Sequence, residues 1–272
     1  MKSFKYLFYL FLIIACEEVV EIDLKNTNPA LVVDGLIKVS KENNSIESGI
    51  ILSKTNGFYD STVEYVDNAT VRIIDNVQNS SYEITQSRPE ARPGVYDSGF
   101  PEFQVDEEYE LQIIYEGEEY SSTATYVPTA TIDNIEISRV DVLNEERTRV
   151  ILNLANPPKE RNFYLANFFG NLEVIQDEFY ENQEVAYPYF FEEESFTGLK
   201  VQVFGIDRNF FIYLTQLIDQ SADDENSRGN PFGTPPSELI GNIRNNTRPS
   251  KQVYGYFSIS QFDAEIIEFS SE

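Results

Sequence analysis

The sequence predicts a mainly β fold that carries one amphipathic helix, and three observations support this prediction. Of the 272 residues, 41% are hydrophobic, and 20 Phe and 17 Tyr provide enough apolar surface for a folded core. Short runs rich in β-branched and aromatic residues recur between polar stretches over most of the chain. One segment, which begins at Asp207, instead places its apolar residues at helical spacing.

The first group of predicted strands lies within residues 29–128. Its clearest feature is a hairpin over 109–128 with the turn at 116–118. The first strand of this hairpin places four apolar residues on one face: Tyr109, Leu111, Ile113 and Tyr115. Further strands are predicted at 30–39, 49–54 and 69–75. Because no helix intervenes, we predict an N-terminal antiparallel β-sandwich over 29–128, Ig-like or transthyretin-like in shape.

A second β-rich domain is predicted over residues 129–272, because a new set of alternating segments begins after Pro128. Its strands are marked by Ile135 and Ile137, by Val150, Leu152 and Leu154, by Leu199, Val201 and Val203, and by the run 253–260. The amphipathic helix is predicted near 207–221, with Asp207 as its N-cap. Its apolar stripe consists of Phe210, Phe211, Leu214, Leu217 and Ile218. We expect this stripe to pack on a sheet, and docking of a partner is the alternative.

Residues 1–15 have the pattern of a lipoprotein signal peptide. Lys2 and Lys5 precede an apolar run that is shorter than the roughly 20 residues of a membrane-spanning helix. The run ends in Ile13-Ile14-Ala15-Cys16, which resembles the bacterial lipobox, a motif cut before its cysteine, here between Ala15 and Cys16. We therefore predict that Cys16 is acylated and anchors the chain in a membrane, since several acyl chains bind stably where one binds marginally. An ordinary cleaved signal or an uncleaved short anchor is the alternative.

An acidic tether is predicted over residues 16–28, after the acylated cysteine. Glu17 and Glu18 resemble the export signals that direct lipoproteins of Bacteroidota-type bacteria to the outer face of the outer membrane. This resemblance implies a lipid-anchored protein displayed on the cell surface. The periplasm-facing leaflet of the outer membrane is the alternative location.

Composition excludes several classes of function. The chain has 46 acidic against 20 basic residues and a net charge of -26, so nucleic acid is not an expected partner. It has no histidine and one cysteine, which excludes Ser-His-Asp and Cys-His catalysis, histidine-ligated zinc and an intrachain disulfide. We expect no enzymatic activity, no cofactor and no metal. A hydrolase based on a pair of carboxyl groups remains an alternative.

Four aromatic residues are candidate contacts for a ligand or partner. Tyr187, Tyr189 and Phe190 belong to the densest aromatic stretch of the chain. Phe232 lies in the segment GNPFGTPP, whose prolines and glycines would hold an exposed ring in a rigid loop. For all four residues, packing in the core is the alternative.

A series of short motifs runs in a fixed order along most of the chain. They are Cys16 with its acidic tether, Leu31-Val32-Val33-Asp34-Gly35, Ala69-Thr70-Val71-Arg72-Ile73, Pro93-Gly94-Val95-Tyr96, Tyr109-Glu110-Leu111, Phe196-Thr197-Gly198, Gly229-Asn230-Pro231-Phe232 and Gly255-Tyr256-Phe257. In this order they resemble a family of Bacteroidota lipoproteins, the domain-of-unknown-function family 4249. The stretch 153–164 departs from the family pattern, because it lacks the tryptophan that members often carry there.

The resemblance implies a two-part β-rich fold on an outer-membrane lipid anchor, often encoded beside a TonB-dependent receptor. It implies no catalytic residue and no cofactor. We therefore expect a non-enzymatic accessory binding or assembly subunit associated with a TonB-dependent transport system. The alternative is a surface module that binds carbohydrate or peptide directly through Tyr187, Tyr189, Phe190 and Phe232.

Overall fold

A computed structural model describes residues 29–57, 62–142, 145–155, 162–177, 185–191, 198–221 and 238–268. These residues form 15 strands and one α-helix, which confirms the predicted mainly β fold. Within these ranges, no helix has the length and apolar character needed to cross a membrane.

The strands occupy most of the described chain. In order they are β1 (Leu31–Ser40), β2 (Ile50–Lys54), β3 (Thr70–Asp75), β4 (Ser80–Ile84), β5 (Val95–Tyr96), β6 (Glu108–Tyr115), β7 (Glu118–Val127), β8 (Thr131–Val142), β9 (Glu145–Ala155), β10 (Phe163–Phe168), β11 (Asn171–Gln176), β12 (Val185–Phe191), β13 (Gly198–Ile206), β14 (Arg244–Asn245) and β15 (Tyr254–Glu268). The helix α1 (Arg208–Ser221) follows β13.

Strands β6 and β7 form the predicted hairpin, with a tighter turn than expected. Tyr115 pairs with Glu118, so only Glu116 and Gly117 lie in the turn. Both have positive φ angles, 50° and 76°, as a type I′ turn requires. The four apolar residues predicted to share a face, Tyr109, Leu111, Ile113 and Tyr115, are all buried.

Within residues 31–127 all strand pairs are antiparallel, as predicted. One series runs β4–β3–β6–β7 and another β1–β2–β5. Their inward faces form one hydrophobic core, which includes Val33, Leu52, Ile73 and Leu111.

The last strand, β15, connects the two halves of the chain. It pairs in parallel with β1 and β7, and antiparallel with β13. Phe257 and Ile259 of β15 are fully buried in the core formed by residues 31–126. The predicted division at residue 128 stays a prediction, and residues 243–259 contribute to the core on its N-terminal side.

The second half of the described chain is built in layers. Strands β11, β10 and β13 continue the large sheet beyond β15, and β12, β9 and β8 form a separate three-stranded sheet. A second core lies between these sheets and contains Leu152, Val185, Phe168 and Val201.

Helix α1 covers the opposite face of the large sheet and confirms the helix predicted near 207–221. The Asp207 carboxylate accepts hydrogen bonds from the backbone N–H groups of Asn209 and Phe210, at 2.7 and 3.0 Å, so it is the predicted N-cap. Phe210 and Leu214 are buried against β10, β13 and β15. Leu217 is 41% exposed, so the apolar stripe is wider than the surface that the sheet covers.

Candidate functional site

A polar cleft lies beside the β6–β7 hairpin and has a volume of about 670 Å³. Three segments that are distant in sequence form its walls: the start of β1, the end of β2, and the segment 248–254 that leads into β15. Its charged and aromatic lining residues are Lys54, Tyr115, Glu116, Tyr120, Arg248, Lys251 and Tyr254.

The carboxylate of Glu118 organises one wall of this cleft, although Glu118 is only 4% exposed. It accepts hydrogen bonds from Asn245 Nδ2 at 2.7 Å and from the Tyr120 hydroxyl at 2.9 Å. It also pairs with Lys251 Nζ at 3.1 Å and with Arg248 Nε at 3.3 Å. A buried charge is stable only with such partners, and here four donors surround one carboxylate.

These contacts determine the protonation states of Glu118 and Tyr120. Burial alone would raise the pKa of Glu118, but the hydrogen bonds from Asn245, Tyr120 and Lys251 and the charge of Lys251 outweigh it and lower that pKa. Burial, followed by the hydrogen bond to Glu118, raises the pKa of Tyr120. The carboxylate is therefore ionised and the phenol is neutral at physiological pH.

Lys54 forms the opposite wall. Its Nζ lies 2.7 Å from Glu64 Oε1 and 5.8 Å from the centre of the Tyr115 ring. The hydrogen bonds with Glu64 and Tyr115 raise the pKa of Lys54 further above its ordinary value. The ammonium therefore stays charged, and it lies near the Tyr115 ring.

Arg248 is the group best placed to meet a ligand. Its side chain is 65% exposed, and Nε makes its single ion pair within the described part of the chain. The two terminal nitrogens of the guanidinium can therefore donate to a carboxylate or to neighbouring hydroxyl groups. With Lys54, Lys251 and three tyrosines, the cleft suits a polar ligand that is held by hydrogen bonds rather than by burial alone.

Sequence reasoning missed this cleft. It assigned Glu118 to the turn, whereas Glu118 begins β7 on the inward face shared with Tyr120. The alternation along β7 could have revealed the inward position, but not the partners, because Asn245 and Lys251 lie 127 and 133 positions away.

The predicted contact residues lie elsewhere, on β12. Tyr189 stacks on Phe168 with ring centres 4.6 Å apart and planes 6° from parallel. The Tyr187 hydroxyl donates to Glu173 Oε2 at 3.0 Å. Both tyrosines are half-buried against the second core, whereas Phe190 is 41% exposed on the other face of the strand. The structure therefore does not bring these three rings together, and their role in binding stays a prediction.

The remaining predicted residues lie outside the described part of the chain. They are Ala15, Cys16, Glu17, Glu18 and Phe232.

The other buried carboxylates have local structural partners. Asp75 accepts hydrogen bonds from the N–H groups of Val77 and Gln78 in the β3–β4 turn. Asp177 accepts one from the N–H of Asn162 at 2.8 Å. Across the described ranges, no group of three or more His, Cys, Asp or Glu residues is placed to hold a metal ion.

Comparison with known proteins identifies the family of the chain. Residues 17–265 match the model of a domain of unknown function, DUF4249. Neither the curated proteins nor the solved structures contain a match. The matched region spans most of the 272 residues, and the chain belongs to the DUF4249 family.

Proposed function

We propose that the chain is a non-enzymatic, lipid-anchored accessory binding or assembly subunit of the outer membrane, associated with a TonB-dependent transport system. The observation that carries this proposal is the position of the single cysteine. Cys16 falls at the last position of the lipobox-like run Ile13-Ile14-Ala15-Cys16, directly before an acidic tether. Several acyl chains at this residue would hold the protein on a membrane without a spanning helix.

The polar cleft supports a binding role close to that membrane. Pro29, where the described chain begins, lines the cleft. Twelve residues, 17–28, lie between it and Cys16, and an extended chain over these thirteen residue spacings reaches at most about 45 Å. An anchored protein would therefore present the cleft within about 45 Å of the membrane surface.

The chemistry of the cleft favours binding over hydrolysis. A carboxyl group that donates a proton in hydrolysis needs a raised pKa. The surroundings of Glu118 lower its pKa instead, and its oxygens already accept from four donors. Glu118 is thus suited to fixing Arg248 and Lys251 in place.

Co-purification tests the accessory role. A tagged full-length chain is isolated from gently solubilised outer membranes, and the proteins that remain bound are identified by mass spectrometry. The proposal predicts a TonB-dependent transporter in amounts comparable to the tagged chain. Recovery of the chain alone, under conditions that keep other membrane complexes intact, contradicts it.

The exposure of Phe190 favours a second candidate, a surface module that binds carbohydrate or peptide directly. Phe190 lies opposite Arg149 in the β12–β9 pair, so an exposed aromatic residue and a half-buried cationic one occupy neighbouring positions of the sheet. This candidate predicts a hit on glycan or peptide arrays that Phe190→Ala weakens. A hit that Phe190→Ala leaves unchanged would remove it.

We propose separately that the protein is displayed on the outer face of the outer membrane. Surface display predicts that protease added to intact cells removes the protein. Protection in intact cells, with digestion after the outer membrane is opened, would place it on the periplasmic side.

A further inference from the structure

A second concave surface, distinct from the polar cleft, lies between α1 and strand β1. This groove has a volume of about 530 Å³, which is in the range of small-ligand sites. Most of its lining side chains are apolar or aromatic, among them Leu36, Leu172, Phe210, Tyr213, Leu217 and Tyr256. Two of these, Leu172 and Leu217, are 44% and 41% exposed, so apolar surface remains open to a ligand.

Strand β1 places opposite charges along the floor of the groove. Asp34, Leu36 and Lys38 alternate on one face of β1, and all three line the groove. Four steps along a strand span about 13 Å, so the backbones of Asp34 and Lys38 lie about that far apart, with Leu36 between them.

Aromatic side chains line the end of the groove where Asp34 lies. The Tyr256 ring lies 4.7 Å from Phe210 and 5.0 Å from Tyr213, centre to centre. Asp34 lies opposite Tyr256 in the β1–β15 pair, which places it beside this cluster. Burial and then the Asp34 carboxylate raise the pKa of Tyr213. A carboxylate next to aromatic rings is a favourable setting for an ammonium group.

At the other end of the groove, Lys38 provides a cation that could bind a ligand. Lys38 Nζ lies 5.5 Å from the centre of the Phe204 ring and makes no ion pair with any residue that the structure describes. The other cation of the groove, Arg92, is already paired with Asp97 at 3.0 Å. Glu47 also lines the groove, but its contact with Lys38 is a backbone hydrogen bond. Lys38 is therefore free to meet a ligand carboxylate.

We propose that this groove binds a short apolar peptide with free termini, whose ammonium group lies at Asp34 and whose carboxylate lies at Lys38. An extended peptide of three or four residues spans about 10 to 14 Å, which matches the backbone spacing of Asp34 and Lys38. Its side chains would cover the exposed Leu172 and Leu217. Because β1 already pairs with β2 and β15, recognition uses the termini and side chains and adds no strand to the sheet.

Calorimetry with capped peptides tests this proposal directly. The full-length chain in phospholipid nanodiscs is titrated with the tetrapeptide Leu-Ala-Leu-Ala, its N-acetylated form, its C-terminal amide and decanoate. The free peptide is expected to bind, and each cap is expected to weaken binding about fivefold or more. Asp34→Asn should weaken binding of the free peptide but not of the acetylated one, and Lys38→Gln should weaken the free peptide but not the amide.

A charge substitution outside the groove serves as the control for the peptide-binding experiment. Glu42→Gln changes an exposed charge just beyond β1 and should leave every affinity unchanged. Absence of peptide binding, caps without effect, or tight binding of decanoate alone would each overturn the proposal. The capped peptides test it in the native chain even if a variant fails to fold. Peptide binding is measured without a transporter. A negative titration would therefore overturn the peptide site alone, and a negative co-purification would overturn the accessory role alone.

Discussion

The carboxylate of Glu118 accepts a hydrogen bond from Asn245 Nδ2 at 2.7 Å, across 127 positions of the chain. This contact links the segment before β15 to the start of β7. The ion pairs of Glu118 with Arg248 and Lys251 add to this link. One buried charge therefore joins parts of the sequence that local patterns assign to different domains.

Removing this charge should destabilise the fold. In Glu118→Gln the new amide donor faces Lys251, Asn245 and Tyr120, which are donors themselves. We expect the free energy of unfolding in urea to fall by about 2 kcal/mol. Glu119→Gln, at the neighbouring half-buried position, is the control. Glu119 Oε1 accepts a hydrogen bond from Asn246 Nδ2 at 3.3 Å, which the glutamine oxygen can keep, so the free energy of unfolding should change by less than about 0.5 kcal/mol. Equal effects of the two substitutions would contradict the assigned role.

The same carboxylate predicts a pH dependence. The pKa of Glu118 is lowered in the folded protein, so its contribution to stability is complete above its ordinary pKa of 4.5 and is lost as the pH falls through the folded value. The stability difference between the wild type and Glu118→Gln should therefore shrink as the pH is lowered from about 6 to about 3. Urea unfolding at several pH values measures it, and a difference that grows toward low pH would show the opposite sign.

Gly255 should tolerate no side chain. Its φ angle is +98°, and a Cβ atom there would lie 1.9 Å from the carbonyl oxygen of Val33 on β1. Gly255→Ala is expected to lower the free energy of unfolding by about 3 kcal/mol or more. Gly198→Ala is the matched strand control, because its nearest contact would be 3.4 Å from Ile267 O. Thermal unfolding of both variants would reveal the contrast, and a stable Gly255→Ala would refute the close pairing of β1 and β15.

Alanine substitutions of Tyr189 and Phe190 should lower stability by different amounts, because Tyr189 packs in the core and Phe190 is exposed. Tyr189 stacks on Phe168 within the second core, so Tyr189→Ala should cost about 2 to 3 kcal/mol of stability. Phe190→Ala removes a 41% exposed ring and should cost less than about 1 kcal/mol. Chemical unfolding of the two variants measures the difference, and a larger loss for Phe190→Ala would reverse the assignment.

Local sequence patterns predicted the elements well but not their long-range partners. The helix was predictable because Asp207 caps it and its apolar residues repeat at helical spacing. The β6–β7 hairpin was predictable from alternation around Gly117. The parallel pairing of β1 with β15 was not, because both strands alternate in a similar way and nothing local selects a partner more than 200 positions away.

The polar cleft was hidden for the same reason. Its two walls meet only after β14 and the segment 248–254 return to the hairpin. Alternation along β7 could place Glu118 inward and Glu119 outward, but with 46 acidic residues in the chain no local signal indicated that Glu118 would meet Asn245, Arg248 and Lys251. Tyr187 and Tyr189 illustrate the converse case, since an aromatic-rich strand is typical of a binding surface and of a core alike.

Metabolic labelling tests whether Cys16 carries a lipid anchor. Cells that express the wild type or Cys16→Ser are grown with a clickable palmitate analogue, and the protein is recovered and assayed for label and for membrane association. We predict label and membrane retention in the wild type and loss of both in Cys16→Ser, because the chain has no other cysteine. An unlabelled wild-type protein, or label that persists in Cys16→Ser, would contradict the lipid anchor.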